Sequence, residues 1–275
     1  MATGTRLANK VALVTGSSSG IGRAIALRYA AEGAKVVCAD LSPASRVVVH
    51  KNSPVQVPGG QPTHELIGPQ NAAFVQTDVG DAAAVENAVQ FAVETFRRLD
   101  VMVNNAGISP EATTPAMLHE TQEDIWDKTM RVNTKSVFLG CKFALRQMLA
   151  QEPHESGDRG WIINTSSIMA LIVTFGCPSY CASKGAVSSL TRQVALEYAK
   201  HRIHCNAICP GFTETAMFED TTAHGPSPDV FADRHPFGGV GTPEDIAKLA
   251  VVLASDDASW LTGVNLPVDG GYVVR

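Results

Sequence analysis

The sequence predicts an α/β protein: a doubly wound parallel sheet, three layers deep, in a single domain. Three observations carry this expectation. Short β-branched runs alternate strictly with longer helical patterns, which implies chained βαβ units and a parallel sheet covered on both faces. No internal repeat and no linker divides the chain. At 275 residues, with 45% hydrophobic and 18% charged side chains, one large α/β domain can bury a substantial core, although two small domains would also fit the length.

Taken in order, Lys10–Thr15 reads as the first strand and Ile21–Glu32 as the first helix. Lys35–Ala39 and Ala73–Thr77 follow as strands, dense in Val, Phe and Thr. Ala82–Phe96 is a helix, Asp100–Val103 a strand, and Ile125–Leu149 a long helix. Trp161–Thr165 (strand), Tyr180–Lys200 (helix), Ile203–Ile208 (strand), Pro243–Leu253 (helix) and Val264–Val268 (strand) complete the series. Two segments break the rhythm. Ser42–Asn71, rich in Pro and Gly, is expected to be a long surface excursion; Gly211–Gly241 is a late connection of a length that often serves as a lid.

Composition narrows the function classes. A net charge of -5 argues against nucleic acid or an anionic membrane as partner. The opening MATGTRLANK lacks the apolar centre of a signal peptide, and no later run is long enough to span a bilayer. The six cysteines lack paired CxxC spacing, so reduced thiols are expected. The expectation is a soluble, cytoplasmic protein.

The first strand runs into TGSSSGIG, with Gly16, Gly20 and Gly22 at the strand-to-helix turn. Glycine permits the tight turn and lets backbone N–H groups approach a pyrophosphate at the positive end of the following helix. The spacing differs from GxGxxG, and no Lys-Ser/Thr follows as in a nucleoside triphosphate loop. A plain tight βα turn would share the glycines. Asp40 ends the second strand, where a carboxylate can accept both ribose hydroxyls of an adenosine half. Its charge would repel a 2′-phosphate by about 4 kcal/mol per close pair at an effective dielectric near 20. No Arg or Lys follows at once, and Ser19 occupies the position before the second glycine where a basic residue could bind that phosphate. NAD is therefore favoured over NADP; the plain alternative is a solvated aspartate capping a loop.

Tyr180 and Lys184 stand four residues apart in YCASK, and Ser167 lies thirteen positions upstream at the end of WIINTSS. A free phenol titrates near 10, too high for acid/base work at neutral pH, and bringing it to about 7 takes roughly 4 kcal/mol. An ammonium about 4 Å away supplies about that much, and residues i and i+4 share a helix face. Of the four tyrosines only Tyr180 has lysine at i+4, yet a packed tyrosine beside a solvated lysine would look the same in isolation.

Together these motifs resemble the short-chain dehydrogenase/reductase family, in its compact single-domain branch with TGxxxGxG and YxxxK. The resemblance runs from about Lys10 to the C-terminus and includes DV at Asp78–Val79, NNAG at Asn104–Gly107, Asn133 in RVNTKSVF, NAICPGFTET from Asn206, and the tail LTGVNLPVDGG. It implies a Rossmann fold and an NAD(P)-dependent enzyme interconverting a secondary alcohol and a ketone. The family pattern makes Tyr180 the general acid/base and Ser167 the group that polarises the reacting oxygen. It has Lys184 lower the tyrosine pKa and hold the nicotinamide ribose, and Asn133 place a water linking Lys184 to solvent. Cofactor contacts implied by the same pattern are Gly16, Ser18, Ser19, Gly20, Ile21, Gly22, Asp40, Leu41, Asp78, Val79, Asn105, Ala106, Gly107, Pro210, Gly211, Thr213 and Thr215. Ser166 rivals Ser167, but the second serine has the family's spacing to the tyrosine.

No metal is required; His50, His64, His201 and His204 read as surface residues without partner ligands. Cys177 reads as packing or substrate contour rather than a nucleophile. Met169, Phe175, Phe212, Met217 and Phe218 are expected near the pocket, which suits a lipophilic or cyclic alcohol or ketone; the same stripe could merely pack the lid. Arg234 and His235 are the nearest basic residues. An NADPH-preferring reductase and a catalytically silent cofactor-binding scaffold are the competing readings, the second opposed by the intact Ser167, Tyr180, Lys184 and Asn133 set. The family commonly forms tetramers or dimers through its long helices and final strand, so a homo-oligomer is expected.

Overall fold

The computed structural model describes residues 4–44 and 60–274. Among them seven strands form one parallel sheet: β1 (Val11–Thr15), β2 (Lys35–Asp40), β3 (Ala72–Gln76), β4 (Val101–Asn104), β5 (Gly160–Thr165), β6 (Ile203–Pro210) and β7 (Asn265–Val268). Their order is β3-β2-β1-β4-β5-β6-β7. The chain winds outward from β1 to β3, returns to pair β4 with β1, and winds outward again to β7. The reversal lies between β1 and β4, and sheets of this kind bind ligands beyond the strand C-termini at such a point.

Period-two alternation sends the strand side chains into two cores. Leu13, Met102 and Ile162 face one side, where α3 (Ala82–Phe96), α5 (Ser136–Ala150) and α6 (Pro178–Tyr198) cover them with Ala88, Met148 and Val187. Val14, Val103 and Ile163 face the other, covered by Ile25 and Tyr29 of α1 (Gly20–Ala31) and by Ile246 and Val251 of α9 (Pro243–Ala254). Two-sided burial explains why these strands read as apolar runs.

The predicted elements appear with shifted ends. The strand expected at Ala73–Thr77 is β3, one residue earlier. The helix expected from Tyr180 begins at Pro178, because proline needs no intrahelical N–H partner in the first turn. The long helix expected at Ile125–Leu149 begins at α4 (Glu123–Thr129) and contains a π-helical turn, Met130–Lys135, before α5. Within Ser42–Asn71, residues 45–59 lie outside the described residues; the remainder contains α2 (Thr63–Ile67), which the sequence reading missed. The Gly211–Gly241 connection contains α7 (Ala216–Ala223) and α8 (Pro228–Ala232) rather than uninterrupted loop. Among the described residues no helix is long and apolar enough to cross a membrane.

Candidate active site

A cleft of about 1000 Å³ opens beyond the C-terminal ends of β1, β2 and β4–β6, lined from Gly16 and Asp40 at one end to Tyr180, Met217 and Phe218 at the other. The β1–α1 turn builds the first end. Gly16 and Gly20 hold φ of +67° and +52°, left-handed values that favour glycine. A Cβ on Gly22 would lie 2.2 Å from the Gly16 carbonyl oxygen, so the turn closes only around a bare backbone. Ser19 occupies the N-cap of α1 without a capping side-chain bond, and the first turn carries no acid. The helix therefore presents free N–H groups and the positive end of its dipole to the cleft, the setting an anion needs.

Asp40 closes β2. Its two carboxylate oxygens accept from the Ser18 N–H at 2.9 Å and the Leu41 N–H at 2.7 Å, which fixes the group at the mouth of the turn. Thr15 Oγ accepts from the backbone N–H groups of Asn105 and Ala106 at 3.0 and 3.1 Å, and Asn105 Nδ2 donates to Thr15 O at 3.0 Å. These bonds lock the β4 exit against the glycine turn. Asp78 pairs with Arg131; that hydrogen bond, then one from the Gly80 N–H, holds its carboxyl below the usual range.

Of the expected cofactor contacts, Gly16, Ser19, Gly20, Ile21, Asp40, Leu41, Asp78, Val79, Asn105, Ala106 and Gly107 line the cleft, as do Pro210, Gly211, Thr213 and Thr215. Ser18 and Gly22 do not. Ser18 Oγ donates to Ser42 O at 2.7 Å, and Gly22 packs beneath the turn. An uncapped helix N-terminus, a cradle that any Cβ would fill and a fixed carboxylate at the next strand end fit a dinucleotide.

The Ser167, Tyr180 and Lys184 end sits on β5 and α6. Ser167 follows β5 and is buried; its hydroxyl accepts from the Met169 N–H at 3.1 Å and shares a hydrogen bond with the Tyr180 phenol. Ser166 is engaged elsewhere: its hydroxyl donates to Lys184 O at 3.0 Å and pairs with Ser188 at 2.9 Å, tying β5 to α6. Lys184 is buried, its Nζ donating to Thr165 O at 2.8 Å and lying 5.6 Å from the Tyr180 ring centroid. Burial pushes the ammonium down to about 8. Burial also pushes the phenol up to about 12, against the Ser167 hydrogen bond that lowers it. The sequence expectation of a phenol near 7 thus differs from the structure, because desolvation outweighs an ammonium directed at a backbone carbonyl. At neutral pH the chain by itself holds Tyr180 protonated.

Asn133 sits in the π-helical turn, fully buried. Its Oδ1 accepts from the Ile108 N–H at 2.8 Å, and its Nδ2 donates to Ile108 O at 2.9 Å and to Ser183 Oγ at 3.0 Å. A Cβ placed on Gly107 would meet Asn133 Oδ1 at 3.4 Å and Lys184 Nζ at 3.6 Å, so the bare Gly107 backbone, the amide and the ammonium converge on one spot.

Sequence reasoning missed two features here. Glu111, buried on a short helical turn after β4, accepts from the Ser179 and Tyr180 N–H groups at 3.0 Å each and so caps α6. No local pattern marks a lone acid in a loop as a cap for a helix far along the chain. Cys177 and Cys181 bring their sulfurs within 3.6 Å; the i, i+4 spacing in CPSYC is the local signal of the pair. Phe212 packs against Phe231 in a tilted pair, 4.4 Å between centroids, and Met169, Phe175, Phe212, Met217, Phe218 and Arg234 line the cleft, whereas His235 does not.

A parallel sheet with this strand order, a glycine cradle at its switch point and a Ser–Tyr–Lys set whose serine and lysine are buried define a nicotinamide-dinucleotide oxidoreductase. Residues 16–273 match the family model described as enoyl-(acyl carrier protein) reductase. The chain is 40% identical over 274 residues to the 2,5-dichloro-2,5-cyclohexadiene-1,4-diol dehydrogenase of Sphingobium indicum, covering 98% of both chains. It is 37% identical over 268 residues to the meso-2,3-butanediol dehydrogenase of Serratia marcescens, covering 97% of this chain and 95% of that protein. Against the (3R)-3-hydroxyacyl-CoA dehydrogenase of Rattus norvegicus the identity is 37% over 281 residues, covering 98% and 99%. The chain belongs to the short-chain dehydrogenase/reductase family. It is an oxidoreductase that interconverts small-molecule alcohols and ketones with a nicotinamide cofactor. That cofactor, when bound, supplies the carbon that accepts or returns a hydride.

Proposed function

We propose that the chain is an NAD-preferring dehydrogenase of lipophilic or cyclic secondary alcohols, working in either direction with the corresponding ketones. The observation that carries the reading is the convergence of Ser167, Tyr180 and Lys184 at the apolar end of a cleft whose other end holds Asp40. Tyr180 exchanges the proton of the reacting oxygen, Ser167 donates a hydrogen bond to that oxygen, and Lys184 with Asn133 relays the proton toward solvent. Gly16, Ser19, Gly20 and Ile21 hold the pyrophosphate, Asp40 the adenosine ribose, Asp78 and Val79 flank the adenine, and Pro210, Gly211, Thr213 and Thr215 meet the nicotinamide.

Support for NAD comes from the fixed Asp40 carboxylate, with Leu41 and Ser42 rather than basic residues after it. Support for the substrate class comes from Met169, Phe175, Phe212, Met217 and Phe218 in the wall, and from relatives named for a chlorinated cyclic diol and for butanediol. Residues 211–241, with α7 and α8, act as the substrate lid within a single catalytic domain. The protein works in the cytoplasm as a homo-oligomer; exposed Phe138 and Leu149 on α5 and Leu196 on α6 support assembly through the long helices.

Initial rates with NAD and NADP across a panel of linear and cyclic secondary alcohols test the reading. A preference for NAD of at least about tenfold is expected, a discounted fraction of the charge repulsion at Asp40. A clear preference for NADP would overturn the reading of Asp40, and rates confined to primary alcohols would overturn the substrate class. Tyr180→Phe should keep NAD binding in calorimetry and lose nearly all turnover; substantial residual turnover would mean another group handles the proton.

A further inference from the structure

Two thiols that the dehydrogenase chemistry does not use stand beside its tyrosine. Cys177 is the N-cap of α6 and Cys181 lies one turn on, with Tyr180 between them. Their Sγ atoms are 3.6 Å apart, and both residues are half-buried, whereas Cys38, Cys141, Cys205 and Cys209 are buried. Cys177 lines the main cleft; Cys181 lines a separate side cavity of about 340 Å³. The pair therefore stands in the wall between the two spaces.

Geometry selects what this dithiol can take. The two sulfurs stand 3.6 Å apart, whereas a disulfide bond holds them at about 2.0 Å. Direct S–S closure therefore requires both side chains to leave their present positions. One bridging atom fits better. For a centre about 2.3 Å from each sulfur, the length of a zinc–thiolate bond, sulfurs at this separation subtend about 103°, near the tetrahedral value of about 109°. A structural zinc ion needs four ligands, and among the described residues no group of three or more His, Cys, Asp or Glu side chains is placed to hold a metal ion. A centre satisfied by two sulfurs and one substituent of its own meets the requirement, and trivalent arsenic is such a centre. Its substituent has a receiving space, since the side cavity is walled by Ala116, Met117, Val173 and Phe175.

We propose that Cys177 and Cys181 form a dithiol site for organic trivalent arsenicals, which seats their apolar substituent in the side cavity and obstructs the cleft beside Tyr180. The step balances without an oxidant. R–As=O and two thiols give R–As(S-Cys)₂ and water; two S–H bonds and the As=O bond break, two As–S bonds form, the two protons leave with the oxygen, and arsenic stays trivalent. Cys181 attacks first, because its hydrogen bond with Cys177 lowers its thiol pKa while that of Cys177 is raised.

The test uses phenylarsine oxide with the wild-type protein, Cys177→Ser and Cys181→Ser, read by intact mass, with circular dichroism confirming that each variant is folded. The wild type should carry one adduct per chain that survives 2-mercaptoethanol and is removed by 2,3-dimercaptopropanol. Each serine variant should need at least about 100-fold more reagent for a retained adduct, because the second bond is then no longer intramolecular. A wild type without adduct, or an adduct equally retained in either variant, would overturn the site. Mass reports capture without turnover, so this arm stands or falls apart from the dehydrogenase reading. The obstruction rests on that reading: NAD-dependent turnover should fall in step with adduct formation, and full turnover by the modified protein would overturn the placement beside the substrate.

Discussion

Lys184→Met should make the protein more stable at neutral pH while abolishing turnover. Methionine keeps the aliphatic length of lysine and removes the charge. Lys184 titrates at about 8 in the fold against an ordinary value of 10.5, because burial disfavours its ammonium. A depressed pKa means that the stability contributed by this group is present above 10.5 and is lost as pH falls through 8. At pH 7 the buried ammonium costs about 3 kcal/mol, since each tenfold change in proton affinity is worth about 1.36 kcal/mol; by pH 9.5 the cost has fallen to about 1 kcal/mol. Methionine also forfeits the 2.8 Å bond to Thr165 O, leaving a carbonyl short of a partner at about 1.5 kcal/mol. The difference is a variant about 2 kcal/mol more stable at pH 7 and equal to wild type near pH 9.5. Paired urea unfolding curves at the two pH values measure it. A variant less stable at pH 7, or an advantage that does not shrink toward pH 9.5, would refute the argument that burial of this lysine opposes folding.

Three further expectations can be checked together. Gly22→Ala drives a methyl into the Gly16 carbonyl and toward Asn105 Nδ2, and should weaken dinucleotide binding at least about tenfold in calorimetry, with stability lowered by about 1–3 kcal/mol. Asn133→Ala deletes three hydrogen bonds and should lower stability by about 2–4 kcal/mol in denaturant titration, while kcat falls more than KM rises. Glu111→Gln keeps one acceptor oxygen but removes the charge facing the α6 N-terminus; a loss of about 0.5–2 kcal/mol is expected in thermal unfolding at pH 7.

What the sequence made legible follows from the range of the forces involved. The strands and helices that build the sheet are set by side-chain periodicity and by glycine at the first turn, both local properties, and these elements appear with ends displaced by a few residues. The π-helical turn at Met130–Lys135 is different. Nothing in RVNTKSVF marks it, because it is fixed by bonds from Asn133 to Ile108 and Ser183, residues 25 and 50 positions away. The same holds for Glu111 and for the interruption of the late connection by α7 and α8, whose aromatic residues pack on Phe212. Local pattern placed the candidate residues on the right elements; long-range contacts decided which way they face.

The tyrosine shows why spacing alone could not give the electrostatics. Four residues of helix deliver Lys184 to the Tyr180 face, but the same burial that brings them together desolvates both. A carbonyl of β5 then takes the ammonium's hydrogen bond. The outcome is a phenol held up at about 12 and an ammonium held down at about 8, each leaning toward its neutral form. With Tyr180 exchanging the proton, as proposed, that arrangement suffices for ketone reduction, since a protonated phenol is the donor required. In the direction of alcohol oxidation the phenol must first lose its proton. The cationic ring of an oxidised nicotinamide would favour that loss, as any nearby positive charge does. The proposed role of Tyr180 therefore predicts that oxidation rates rise with pH over a range set by the loaded cleft and lying below about 12, while reduction stays level across neutral pH. Parallel pH profiles in the two directions measure the difference, and coincident profiles would mean that Tyr180 is not the group exchanging the proton.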